Sequence, residues 1–187
     1  VDADHFAERV HQRTARVAGI DRGVGLDHVD VDPVPLATPD EVWKRIESLG
    51  RRCVDWGDVE VAVAEATDVG DANARYLAQI KRSCERVAGL VGEARRQGCL
   101  PLVLGGDHSV AMGTLGGMAS VHGAGGTLWI DAHGDLNTPG SSPTGNVHGM
   151  PLAAALGTAG DAFASDAWPT PSVERAALVG VRSLDGG

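Results

Sequence analysis

The apolar positions of this chain change their period along its length, and each change marks an element. Between Asp71 and Gln97, Leu77, Ile80, Cys84, Val87, Leu90 and Val91 recur at steps of three and four, the spacing of one helix face. Gly98 is placed to close that helix. Leu100-Pro101-Leu102-Val103-Leu104 follows with almost no polar interruption, as expected of a strand buried on both faces. Leu128 to Ile130 reads as a second buried strand. Val42, Ile46 and Leu49 predict a shorter helix, opened by Asp40-Glu41 and ended by Gly50. Arg52 to Trp56 predicts a strand, Met150 to Leu156 starts a further helix, and Ala176 to Val181 forms the last strand. Residues 1 to 18 carry a weak helical stripe through Phe6, Val10 and Val17. Residues 19 to 39 mix turn formers with isolated valines and read as loop. Strands therefore alternate with helices, which predicts the α/β class: a mainly parallel sheet with helices on both sides, a three-layer α/β/α arrangement.

In such sheets the functional groups gather beyond the carboxyl ends of the strands, and two loops at those ends carry candidate ligands. After the strand ending at Ile130 comes Asp131-Ala132-His133-Gly134-Asp135. In an extended chain, alternate residues share a face, so Asp131, His133 and Asp135 are expected to point one way. After the strand ending at Leu104 comes Gly105-Gly106-Asp107-His108-Ser109, in which Asp107 can cap a helix and His108 can join the ligands. Imidazole and carboxylate without thiolate suit manganese and similar divalent ions better than structural zinc. Two such ions, ~3.5–4 Å apart, turn a bridging water into a nucleophile near neutral pH. The next segment, Leu136 to Gly149, is rich in small hydroxyl and amide side chains, and its position suits it to hold a polar ligand.

Composition narrows this only slightly. A chain of 187 residues is long enough for one domain with a core. Its net charge of −9, from 25 acidic and 16 basic residues, argues against nucleic-acid binding through a basic face and mildly favours a cationic small substrate. Cys53, Cys84 and Cys99 have neither zinc-motif nor disulfide-framework spacing and read as ordinary thiols of a reducing compartment. No apolar run approaches the ~20 residues of a membrane span. Val1-Asp2-Ala3-Asp4 opens nothing resembling a signal peptide. A cytoplasmic location without membrane contact is the expectation.

Taken in order, the segments GGDHS, IDAHGDLNT, GNVHGMPLAAALG and VGVRSLD resemble the arginases of the ureohydrolase family, the bacterial form above all. The resemblance covers about residues 40 to 187. Agmatinases share the metal segments, but Asn137 and the Gly145-Asn146-Val147-His148-Gly149 pattern are arginase-like. The resemblance implies an arginase/deacetylase-like α/β/α fold, two manganese ions per complete subunit, and hydrolysis of L-arginine to L-ornithine and urea through a metal-bridging hydroxide. By motif position, His108 and Asp135 match ligands of one ion, His133 matches a ligand of the other, and Asp131 matches a carboxylate bridging both. His148 matches the active-site histidine that moves protons, and Asp135 is grouped with it as catalytic. Asn137, Ser142 and Thr144 match positions that bind the substrate α-carboxylate, Thr144 standing where serine is usual. Asp185 matches the carboxylate that receives the α-amino group. A homo-oligomer, trimer or hexamer, is also implied.

Two departures shape the expectation. Residues 1–38 do not match the family's opening strand and glycine-rich motif and are set apart as a divergent segment, leaving 39–187 as a partial ureohydrolase domain. A DxDxxDP segment, which in the family carries two further manganese ligands, has no counterpart here. Asp30-Val31-Asp32-Pro33 lacks its third aspartate and lies in the wrong half of the chain. The expectation is therefore a fold incomplete at its carboxyl end, a fragment with little or no activity alone. An agmatinase or guanidino-acid hydrolase, and a degenerate ureohydrolase that only binds metal or a partner, stay open as alternatives.

Overall fold

The elements run β1 (Ala15–Ile20), α1 (Pro39–Ser48), β2 (Cys53–Val59), α2 (Leu77–Arg96), β3 (Leu100–Leu104), α3 (Val110–His122), β4 (Gly125–Ile130), α4 (Pro151–Ala155) and β5 (Val173–Val179). They are taken from a computed structural model that describes residues 15–20, 39–63 and 66–182. The longest apolar stripe of the sequence becomes the longest helix, α2, which buries Cys84, Val87, Ala88 and Val91. It begins six residues later than Asp71, because Tyr76 is left-handed (φ 60°) and Arg75 gives its N–H to Gly145 instead of to a helical carbonyl. Asp40 and Glu41 occupy the first turn of α1 and Arg45 the last, each sign where the helix dipole favours it.

The chain is α/β, as its periodicity predicts, and its strands fall into two sheets. One has the order β2-β1-β3 and the other pairs β4 with β5. The β4–β5 pair is parallel, from Gly125↔Val173 to Ile130↔Val179. β1 lies antiparallel to both neighbours, from Arg16↔Leu104 to Ile20↔Leu100 against β3 and from Ala15↔Val59 to Ile20↔Cys53 against β2. The helix read over residues 1 to 18 therefore fails at its end. Two backbone ladders outweigh a weak apolar stripe. The loop read over residues 19 to 39 likewise fails at Gly19 and Ile20, which end β1; apart from these and Pro39 it lies outside the described residues, as do the rest of that stripe and Asp30-Val31-Asp32-Pro33.

Burial of the strands also differs from the expectation. In β4 only Trp129 is buried, while Leu128 and Ile130 are 70% and 74% exposed. Leu100 of β3 is exposed as well. The continuous apolar runs predict two-sided burial; among the described residues β4 buries only Trp129, and no residue of β3 is fully buried.

The main core lies between α2, α3, α4 and the segment that follows α4. Cys84, Ala88, Met112, Val147, Met150, Ala153, Phe163 and Trp168 close on one another there. α2 and α3 touch backbone to backbone: a Cβ on Gly113 would stand 2.4 Å from the Cys84 carbonyl oxygen, so only glycine permits this crossing. That contact fixes the start of α3, two residues after His108. Among the described residues no helix is long and apolar enough to cross a membrane.

Candidate metal centre

Two chain turns build the site. After β3, Asp107 Oδ1 accepts the backbone N–H of Ser109 at 3.0 Å and also its hydroxyl; α3 begins at Val110, later than the start near His108 that the sequence predicts, with Ser109 rather than Asp107 at the cap position. Beneath this turn the Cys84 thiol donates to the Ser109 carbonyl at 3.3 Å. Burial, more than any neighbour, pushes that thiol up to about 12. His108 is thereby held between a strand end and a helix start, both anchored from the core.

After β4, the Asp131 N–H still reaches the Val179 carbonyl of β5 (3.1 Å), so Asp131 keeps its register with the sheet. The chain then bends, with Asp131 Oδ1 accepting the His133 N–H at 2.9 Å. Asp135 is left-handed (φ 52°), a conformation that aspartate tolerates better than most residues. Its carbonyl accepts the Leu152 and Ala153 N–H groups at 3.1 and 3.2 Å, tying the turn to the start of α4. Convergence at this corner thus comes from a bend and a left-handed residue. The alternation expected of an extended chain does not operate here, and His133 stands apart with its side chain 69% exposed.

Three of the four expected ligands do come together. His108 Nδ1 lies 2.9 Å from Asp131 Oδ2 and 2.7 Å from Asp135 Oδ2, and the three groups offer ligand atoms all within 4.8 Å of one another. Asp135 is only 6% exposed, and its buried Oδ2 has no hydrogen-bond partner among the described residues. The 2.7 Å approach of the imidazole therefore brings two polar atoms close without the alignment of a hydrogen bond. Burying such a group unsatisfied is unfavourable, and a divalent cation among the three atoms satisfies it. One nitrogen and two carboxylate oxygens suit a borderline or hard ion. His133 Nδ1 lies 3.3 Å from the other oxygen of Asp131, Oδ1, so Asp131 stands between two imidazoles.

The electrostatics agree with this. The close contact with Asp135, ahead of the charges of Asp135 and Asp131, raises the His108 pKa against the opposing effect of burial. For Asp131, partial burial raises the pKa, but the His133 backbone N–H and the imidazoles of His108 and His133 outweigh it and hold the carboxyl below its ordinary value.

The hydroxyl- and amide-rich loop is ordered by its own side chains. Ser141 Oγ accepts the Thr138 N–H and donates to Asn137 Oδ1, both at 3.0 Å. Ser142 Oγ accepts the Gly145 N–H at 3.0 Å, and Thr144 Oγ1 accepts the Asn146 N–H at 3.2 Å. The Asn137 amide nitrogen and the Ser142 and Thr144 hydroxyl protons are the donors this leaves for a ligand. Asn137 N–H closes the loop onto the Gly149 carbonyl (3.2 Å), and His148 is exposed in a 3-10 turn, Val147–Gly149. Gly145 crosses the 71–76 segment so closely that a Cβ would stand 1.9 Å from the Ala72 carbonyl oxygen. Asp185 lies outside the described residues. Pattern reading missed Ser141, the 71–76 clasp and Trp129, whose ring stacks on His108. Only Trp129 carried a sequence signal, since it shares a strand face with Asp131 two residues on.

The chain is similar to known proteins of one family. A sequence model described as the arginase family matches residues 22–187. The chain is 41% identical over 175 residues to an arginase of Bacillus caldovelox and 38% identical over 174 residues to one of Brevibacillus brevis, in each case 91% of this chain and 58% of the relative. The chain thus spans under two thirds of the length of these curated relatives. Among solved structures, the arginase of Bacillus caldovelox at pH 5.6 superposes with a TM-score of 0.69 at 43% identity, and that of Bacillus subtilis at 1.7 Å with 0.69 at 37%. Both superpositions cover 77% of this chain and 49% of the other.

Proposed function

Because the chain belongs to the arginase family, we propose that its site serves the manganese-dependent hydrolysis of L-arginine to L-ornithine and urea. The observation that carries the proposal is the meeting of His108, Asp131 and Asp135 around an orphaned, buried carboxylate oxygen. In this reading His108 and Asp135 hold one ion and His133 helps to hold a second. The placing of one Asp131 oxygen toward His108 and the other toward His133 supports its assignment as the shared carboxylate. When bound, divalent ions supply Lewis acidity and make water nucleophilic at neutral pH.

The chain's own residues do the rest. Asn137, Ser142 and Thr144 keep N–H and O–H donors on a self-ordered loop directly after the metal ligands, which supports their assignment to the substrate's α-carboxylate. Asp185 is assigned to the α-amino group. His148, exposed on the same loop, is assigned to proton transfer between solvent and the reacting atoms. The net charge of −9 favours approach of a cationic substrate.

The test is release of ornithine and urea from L-arginine, with added manganese, by the native polypeptide that contains these residues. Turnover of arginine with little turnover of agmatine supports the reading, since agmatine lacks the α-carboxylate. Turnover of agmatine or of another guanidino acid in preference to arginine overturns it.

A further inference from the structure

We propose that Trp129 is a positioning residue for this metal centre. Its indole sets the plane of the His108 imidazole, the plane in which Nδ1 meets Asp131 and Asp135, before any ion arrives. The two rings stack with centroids 4.3 Å apart and planes inclined by 21°. Trp129 is 4% exposed, whereas the His108 side chain is 37% exposed, so the buried ring is the fixed partner and the imidazole the one that needs fixing. His108 follows β3 and the two aspartates follow β4. Among the described strands, β3 and β4 lie in separate sheets. No backbone ladder between those two strands therefore registers one ligand loop against the other. The stack supplies a direct contact across that boundary, from a residue two positions before Asp131 on the same strand face.

The chemistry of the indole points the same way. Trp129 Nε1 is buried and has no hydrogen-bond partner among the described residues. What the side chain contributes here is the face of its ring. An aromatic pair in offset stacking restrains both planes, and a ligand held in its binding orientation loses less freedom when the ion binds. The plane fixed in this way holds Nδ1, the atom found 2.9 and 2.7 Å from the carboxylates.

This inference rests on the metal-binding reading of the three residues, and the experiment separates the two. Manganese is titrated into the full 187-residue chain, free aquo ion being followed by electron paramagnetic resonance. Wild type, Trp129→Phe and Trp129→Met are compared, with thermal unfolding recorded for each. Trp129→Phe keeps an aromatic face and is expected within about 3-fold of wild-type affinity; Trp129→Met fills volume without a ring plane and is expected to lose roughly 5- to 10-fold. The His108 ring protons are expected upfield in metal-free wild type and at ordinary positions in Trp129→Met. Equal affinity in wild type and Trp129→Met, or equal losses in both variants, overturns the proposal. Absence of manganese binding by wild type overturns the metal reading itself and the proposal with it. Should Trp129→Met fail to fold, the wild-type ring-proton shift decides: unshifted His108 protons refute the stack.

Discussion

Two polar regions of this protein stand a few residues apart in sequence and solve opposite problems. In the corner formed by His108, Asp131 and Asp135, ligand atoms face one another and a buried carboxylate oxygen is left without a donor. In the loop from Asn137 to Gly149, the side chains of Ser141, Ser142 and Thr144 are engaged with neighbouring atoms of the loop itself. The first region is held from outside, by a helix start, a strand register and the carbonyl of a left-handed residue, and its polar atoms are reserved. The second holds itself. A difference of this kind separates atoms meant for a cation from atoms that maintain a shape.

The comparison breaks most visibly at Asp135. Asp135→Asn tolerates the left-handed backbone but removes the charge, and is expected to weaken manganese binding by about 100-fold, the upper end for changes around metal ligands. Above the His108 titration range the metal-free variant should unfold at the same temperature or higher, because the buried carboxylate then lacks a charged partner; at lower pH the loss of the His108 pair should lower it. Calorimetric titration together with thermal unfolding checks both halves; a large loss of stability above that range would show that Asp135 is structural.

Gly145→Ala should behave in reverse. Its Cβ meets the Ala72 carbonyl and its φ of 69° is unfavourable with a side chain, so stability should fall by about 2–3 kcal/mol in denaturant unfolding. Manganese affinity should remain within about 2-fold of wild type, since no ligand moves. Ser141→Ala repeats this on a smaller scale. Loss of two loop hydrogen bonds should cost about 1–2 kcal/mol, again without effect on metal binding.

The smallest effect concerns the support beneath the corner. The Cys84 pKa, pushed up to about 12, leaves almost no thiolate at pH 8, so iodoacetamide should label Cys99 and spare Cys84. The sign for stability follows. Cys84 stays neutral in the fold while the unfolded thiol ionises near its ordinary value of 9.0, so its contribution is intact below that pH and declines as pH rises toward 12. Labelling of Cys84 in the native protein at pH 8 would contradict the buried support.

How much of this the sequence could reveal depends on the range of the forces involved. The helix carrying Cys84, Val87 and Val91 was legible because its face repeats within a few turns. The glycine-turned loop after β3 was legible because Asp107 acts on Ser109, two residues away. β1 was misread because its conformation is imposed by β2 and β3, which are distant in sequence. Asp131 and Asp135 do meet at the corner, but through a bend and a left-handed residue and not through strand alternation, and His133 lies at its edge, exposed and 3.3 Å from Asp131 Oδ1. The exposure of Leu128 and Ile130 was hidden for a further reason, since an apolar run cannot tell which of its faces has a neighbour.

The central claim is that His108, Asp131 and Asp135 form a cation site. Diffraction from crystals of the protein grown with manganese, recorded at the manganese absorption edge, tests it directly. The account predicts an anomalous peak roughly 2.0–2.6 Å from His108 Nδ1 and from an oxygen of each aspartate. A peak bound elsewhere, or no peak at this corner with manganese in excess, would contradict it.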